Sequence, residues 1–223
     1  MQVNKEIDST VYGNTYHIKR VLEDIDKAGT PVSFDLETRS IYPKATREKA
    51  SSYLEDEDTY PEGLPPTIKN EYTRIKYSSG LSHPSMVRTT HIILGIDKTT
   101  TKVFVVDEAL EKLVFNWLVN TEVKVLIHNT LFDLKLVYHR TGKVPKNFED
   151  TQLMAMDVVN DCEDYNRRVS LKVLMGSHYP AKWSIKSETD YEVSNLKDEN
   201  FLEYCHYDGV SVMHLYELLE EER

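Results

Sequence analysis

Apolar and polar positions fall into blocks along this chain, and the blocks read as secondary structure. Between Thr15 and Lys27, apolar side chains recur at Tyr16, Ile18, Val21, Leu22 and Ile25, a helical spacing, and Gly29 follows as a stop. Pro31 then introduces Val32-Ser33-Phe34-Asp35-Leu36-Glu37, predicted as a first, buried strand. His91–Ile96 and Lys102–Val106 are two further strands around a turn at Lys98–Thr101, which together make a hairpin. Asp107 is placed to cap a helix from Glu108 to Val119, with Leu110, Leu113, Val114, Trp117 and Leu118 on its inner face. Val123–Ile127 is another strand. His128-Asn129-Thr130 is a turn, with Asn129 as a candidate cap, and a helix follows from about Leu131 to His139, ended by Gly142 and Pro145. Thr151–Val159 is predicted helical, Ser170 caps a short helix through Met175, and a long final helix runs from about Asp198 to Glu220.

Two stretches break the pattern. Residues 1–13 read as a loose lead-in. Residues 40–88 hold five prolines, the acidic run Glu55-Asp56-Glu57-Asp58 and tyrosines at 42, 53, 60, 72 and 77, with no continuous period. A stretch this long without regular structure is uncommon unless it has a job. It is expected to be a surface insertion over about 41–88, either a variable excursion or a substrate lid or partner-binding arm. The order strand, hairpin, helix, strand, helix and helical tail implies an α/β fold of the ribonuclease H type: a mixed sheet flanked by helices in one domain, residues 1–223.

Composition changes this picture little. A chain of 223 residues that is 40% hydrophobic can bury a sizeable core. No apolar run is long enough to span a membrane, and Met1–Glu6 has no apolar signal region, so a cytoplasmic setting without membrane partners is expected. Cys162 and Cys205 lie far apart and form neither a metal-spaced pair nor a disulfide framework. The net charge of −10 argues against a coat protein for nucleic acid, which would be basic, but not against an enzyme with a small basic track for a short single strand.

The candidate chemistry begins at the end of the first strand. Asp35 and Glu37 are two apart, so both project to one face while Leu36 turns into the core. Adjacent carboxylates repel, and burial makes this worse, so such a pair calls for a cation; oxygen-only ligands suit magnesium or manganese. With 37 acidic residues, the acidic-x-acidic pattern also arises by chance, as at Asp24/Asp26, Glu55/Glu57, Asp56/Asp58, Glu188/Asp190 and Glu220/Glu222. Only Asp35/Glu37 closes an apolar strand. Asp133 falls in the first turn of a helix among apolar neighbours, where a carboxylate is also favourable as a simple partner of the helix dipole. Tyr204 and Asp208, four apart, share one face of the final helix, and Asp208 borders its apolar side.

Asp-x-Glu closing a first strand, Asn129-x-x-x-Asp133 opening a later helix and Tyr204-x-x-x-Asp208 in a final helix resemble, in order and context, the DEDD superfamily of 3′–5′ exonucleases. The likeness is greatest to the proofreading domain of family A DNA polymerases and to RNase D. It covers roughly residues 30–40 and 90–220. Glu149-Asp150-Thr151, followed by Leu153 and Met154, and Ser170-Leu171-Lys172-Val173-Leu174 resemble two flanking segments of that family. Glu203 stands where the histidine subclass has its histidine, and Tyr204 where the tyrosine subclass has its tyrosine, so the chain resembles the DEDDy subclass.

The resemblance implies a two-metal-ion phosphodiesterase using Mg2+ or Mn2+. Asp35 would bridge both ions, Glu37 and Asp208 would complete one site, and Asp133 would hold the other. Tyr204, neutral at pH 7 if its pKa is ordinary, would orient the attacking water. Thr38 matches a family position near the terminal nucleotide, Ile41 lies where the family has an apolar residue that wedges between the last two bases, and Asn129 matches a strand-contacting position. Lys172, Lys182, Trp183 and Lys186 are candidates for backbone contact or simply a solvated basic face. The activity expected is 3′–5′ hydrolysis of single-stranded DNA, with a separate DNA polymerase as a partner in proofreading and DNA replication. The alternatives are an RNase D-like or oligoribonucleotide exoribonuclease, and, in another class, a non-catalytic module docking through residues 41–88. No residue reads the sugar 2′-OH clearly enough to choose between DNA and RNA.

Overall fold

The computed structural model describes residues 6–7, 14–41, 84–158, 169–179 and 199–222. Most of the expected insertion lies outside the described residues, as do Cys162, Lys182, Trp183 and Lys186. The chain divides into two compact units, one formed by Met1–Glu37 with Thr90–Arg223 and the other by Thr38–Thr89.

The described elements are β1 (Glu6–Ile7), α1 (Thr15–Ala28), β2 (Val32–Ser40), a 3-10 turn (Pro84–Met86), β3 (Val87–Gly95), β4 (Thr100–Val105), α2 (Glu108–Leu118), β5 (Val125–Ile127), α3 (Thr130–Thr141), β6 (Phe148–Asp150), α4 (Thr151–Val158), α5 (Leu171–Met175) and α6 (Glu199–Glu222). The sheet order is β1-β4-β3-β2-β5-β6. β3 and β4 form the antiparallel hairpin, while β1–β4, β2–β5 and β5–β6 are parallel pairs. This mixed sheet with flanking helices is the ribonuclease H-like α/β fold. Among the described residues, no helix is long and apolar enough to cross a membrane.

The helix signals act as their chemistry dictates. Asn14 caps α1 by accepting from the Tyr16 N–H, and Gly29 ends it at φ 64°, a left-handed conformation that costs glycine nothing. Asp107 caps α2 by accepting from the Leu110 N–H at 2.9 Å, and Ser170 caps α5 by accepting from the Val173 N–H at 3.4 Å. Asn129 does not cap α3. It lies at the cap position in a left-handed conformation, and its side chain makes no capping bond.

Strand alternation sorts β2 between two layers. The Ser33 hydroxyl faces α6, donating to the Gly209 carbonyl, while Phe34 packs edge-on against Phe115 of α2. Asp35 follows Ser33 to the α6 side, and Leu36, at 4% exposure, follows Phe34 into the core. On the α6 side, Phe201, Leu202 and Cys205 pack against Ile93 and Val103, and Tyr207, Val210, Leu215 and Leu219 join Met154, Ala155, Val169 and Met175.

Candidate active site

Three elements deliver the acids. β2 carries Asp35 and Glu37 on one face. α6 carries Asp208 and, one turn earlier, Tyr204 on the side toward the sheet. Asp35, Glu37 and Asp208 each bring one carboxylate oxygen into a group lying within 4.8 Å of one another. Asp35 and Glu37 are half-buried and Asp208 is buried. The Thr90 hydroxyl donates to the Glu37 carbonyl at 3.1 Å, which ties this end of β2 to β3.

α3 brings the fourth acid. Asp133 is 2% exposed, and its Oδ1 is buried with no hydrogen-bond partner among the described residues. Burial first, then the charge of Asp35, and to a smaller degree that of Glu37, hold its carboxyl well above the usual range against the pull of its own and the Leu36 backbone N–H. A buried carboxylate oxygen with no donor, beside two more carboxylates, is a poor arrangement for an isolated protein. It fits a divalent cation, and an all-oxygen acidic donor set suits the hard ions Mg2+ and Mn2+.

A cleft of about 410 Å³ opens at this cluster, and Asp35, Tyr204 and Asp208 line it. Its polar wall is made by His128, Asn129, Gln152, Ser170 and Lys172. Tyr204 is half-buried and stacks on Phe201, with ring centroids 6.3 Å apart, so its ring has a fixed seat beside Asp208. Thr38 and Ile41 belong to the second unit; Thr38 continues β2 directly after Glu37, and Ile41 is 49% exposed.

Sequence reasoning passed over three of the wall residues. His128 was only part of a turn, and its signal is position: it is the first residue after β5. Its Nδ1 pairs with the Thr151 hydroxyl at 3.0 Å. Gln152 and Ser170 stand at helix starts, where a cap or first-turn role hides a place on a cleft wall.

The fold is shared with several solved nuclease structures. NrnC of Brucella melitensis with bound Mg2+ is similar at 18% identity and a TM-score of 0.52, over 86% of this chain and 72% of that one. RNase D of Escherichia coli, an exoribonuclease involved in structured RNA processing, is similar at 14% identity and a TM-score of 0.57, over 94% of this chain and 43% of its own length. RNase D of Trypanosoma brucei in complex with RNA U12 is similar at 14% identity and a TM-score of 0.54, over 93% of this chain and 61% of that one. No protein-family model and no curated protein sequence matches the chain.

Proposed function

We propose that this chain is a divalent-metal-dependent 3′–5′ exonuclease of the tyrosine DEDD type that acts on ends of single-stranded RNA or short oligoribonucleotides. The observation that carries this reading is the convergence of Asp35, Glu37 and Asp208 to within 4.8 Å at a cleft that Tyr204 also lines. The preference for RNA over the DNA expected from the motifs draws its support from the similar structures. RNase D of Escherichia coli is described as an exoribonuclease, NrnC is seen bound to pGG, and the Trypanosoma brucei RNase D is seen with RNA U12. No comparable finding supports a polymerase partner. The net charge of −10 fits a short strand end better than a long duplex.

In this reading residues 1–223 act as one exonuclease domain in the cytoplasm, with about 41–88 as an insertion. Asp35, Glu37, Asp133 and Asp208 would hold the metal. When bound, the divalent ions offset charge on the phosphate and make the attacking water more acidic. The chain's own residues do the positioning. The Tyr204 hydroxyl orients the water at the terminal phosphate, its ring fixed on Phe201. The water oxygen bonds to phosphorus, the bond from phosphorus to the 3′ oxygen of the preceding nucleotide breaks, and that oxygen takes a proton. The products are a nucleoside 5′-monophosphate and a strand shorter by one. Asn129 contacts the strand from the cleft wall, and Thr38 and Ile41 are assigned to the terminal nucleotides.

The test uses 5′-labelled RNA and DNA of one sequence with Mg2+, Mn2+ or EDTA, beside Asp35→Ala. The expected result is a metal-dependent ladder from the 3′ end, faster on RNA and absent in the variant. A folded protein that cuts neither strand with either metal would sink the reading and make the docking module the leading one. A faster DNA ladder would restore the expectation of a single-stranded DNA exonuclease.

A further inference from the structure

The turn that opens α3 has an unusual support. Asn129 sits at φ 67° and ψ 67°, and among the described residues it is the only non-glycine with positive φ. Asparagine tolerates that region better than most residues, but a strained turn persists only when its surroundings hold it. Here the holder is Asp150. β6 pairs with β5 in a register that sets Asp150 beside Ile127, so the carboxylate lies where β5 turns into α3 and where α4 begins. Its Oδ1 accepts from the Asn129 N–H at 3.1 Å, the Gln152 N–H at 2.8 Å and, more weakly, the Leu153 N–H at 3.4 Å. Its Oδ2 accepts from the Thr130 N–H at 2.9 Å and the Thr130 hydroxyl at 2.8 Å.

An ordinary cap satisfies one helix. This carboxylate accepts from N–H groups at the starts of two, and the turn before α3 and the first turn of α4 both line the cleft. Asn129 and Gln152 line its wall, and α3 carries Asp133 less than one turn beyond Thr130. Burial raises the Asp150 carboxyl, but the donors from Thr130, Gln152 and Asn129 outweigh it and leave the group below the usual range, as expected of a carboxylate kept ionised to accept them.

The geometry points to Asp150 as a positioning residue: one carboxylate clamps the starts of α3 and α4, and so sets Asn129 and Gln152 toward the substrate and Asp133 toward the metal. This rests on the nuclease reading. Asp150 itself does not line the cleft.

The experiment compares the full chain with Asp150→Asn, Thr130→Val and, as a control, Asp26→Asn. Asp26 also accepts several bonds, from the Trp117 indole at 3.0 Å and the Thr121 hydroxyl at 2.6 Å, but it ties α1 to the end of α2. Three quantities are read: melting temperature, calorimetric binding of Mn2+ without nucleic acid, and KM with kcat on labelled RNA. Asp150→Asn is expected to weaken Mn2+ binding and raise KM by about 10-fold each, the low end for residues that support metal ligands from behind. Thr130→Val, which removes only the hydroxyl donor, should move both the same way by less. Asp26→Asn should lower the melting temperature and leave both unchanged. If Asp150→Asn and Thr130→Val behave like the control, the positioning role is wrong. Should Asp150→Asn fail to fold, Thr130→Val decides alone. A wild-type protein that binds no Mn2+ and cuts no RNA overturns the nuclease reading first, and the Asp150 role with it.

Discussion

The Ser33 hydroxyl donates to the Gly209 carbonyl at 2.8 Å across 176 residues of sequence, and it accepts from the Gly95 N–H at 3.0 Å. This places the backbone next to Asp208 directly against the strand that carries Asp35. The approach is possible only because both partners lack a side chain. A Cβ on Gly95 would lie 2.3 Å from Ser33 Oγ and 2.5 Å from the Gly209 carbonyl oxygen, and one on Gly209 would lie 2.8 Å from the Thr101 side chain. Thr101 in turn donates to the His206 carbonyl at 3.1 Å. The seat of α6 is therefore set by Ser33, Gly95, Thr101 and Gly209, none of them an acid of the site.

Gly95→Ala is the sharpest test of that seat. The new methyl meets backbone, which cannot rotate away, so α6 must shift. Overpacking of this kind costs about 1–3 kcal/mol or more. Urea denaturation should show that loss, and RNA hydrolysis by the fraction that remains folded should fall well below wild type because Asp208 moves with the helix. Ser33→Ala should cost about 1–3 kcal/mol by leaving the buried Gly95 N–H without the Ser33 oxygen and removing a second bond to the Gly209 carbonyl. Full specific activity in Gly95→Ala would show that the helix position does not matter.

The pH dependence of the metal-free protein follows from two shifts of opposite sign. Asp133 is raised, so the folded state binds its proton more tightly than the unfolded chain; stability falls as pH rises from the ordinary carboxyl pKa through the raised one. Asp150 is lowered, so its contribution is present above the ordinary carboxyl pKa and is lost as pH falls through the depressed one. Stability in EDTA should therefore peak at mildly acid pH. Mg2+ should raise the melting temperature strongly at pH 8 and little at pH 5. Thermal scans over that range check both, and an equal Mg2+ effect at the two pH values would contradict the account.

Asp133→Asn separates stability from function. It removes a buried charge beside Asp35 and Glu37 while keeping the shape. The metal-free protein should become more stable, by about 1–2 kcal/mol, while activity is lost. Denaturant melts in EDTA beside the labelled-RNA assay give both numbers. A less stable Asp133→Asn would mean that the N–H donors of Asp133 and Leu36 outweigh burial and the repulsion from Asp35 and Glu37.

The sequence disclosed the framework unevenly, and the reasons are physical. α1, α2 and the β3–β4 hairpin were legible because their apolar periods are long and their caps are local. The acids were legible in order from their neighbours, Asp35 and Glu37 in β2, Asp133 in the first turn of α3 and Asp208 within α6, and the fold brings Asp35, Glu37 and Asp208 within 4.8 Å of one another. β1 and β6 were not, because strands of two and three residues carry no period, and only pairing with β4 and β5 reveals them. Asn129 was expected as a cap because its residue type fits one. The acceptor is instead Asp150, 21 residues on, which no local rule can find. The wall formed by His128, Gln152 and Ser170 appears only once three separate helix starts are brought to one cleft.

Tyr204→Phe tests orientation against proton transfer. The ring keeps its stacking on Phe201, so folding and KM should hold. Loss of a group that transfers the proton would cost about 10²–10⁴-fold. A hydroxyl that only aims the water should cost less, and kcat is expected to fall by about 10-fold to 100-fold, with the pH profile of kcat keeping its shape. A profile that loses a limb would make Tyr204 an acid–base group.

Lys172 decides whether the basic side of the cleft meets the strand. It is the lysine of α5 on the cleft wall, and its backbone position is fixed by the Ser170 cap. If its ammonium lies along the phosphate chain, Lys172→Ala should raise KM and leave kcat nearly unchanged, because the contact forms equally in the ground and transition states. A single-stranded substrate gives a second signature. Each lost phosphate contact should reduce the slope of log affinity against log salt by about 0.7. Measuring KM on labelled RNA from low to moderate salt for both proteins reads the two effects together. An unchanged slope with an unchanged KM would make Lys172 part of a solvated face, and the grip on the strand would then fall to Asn129, His128 and Gln152.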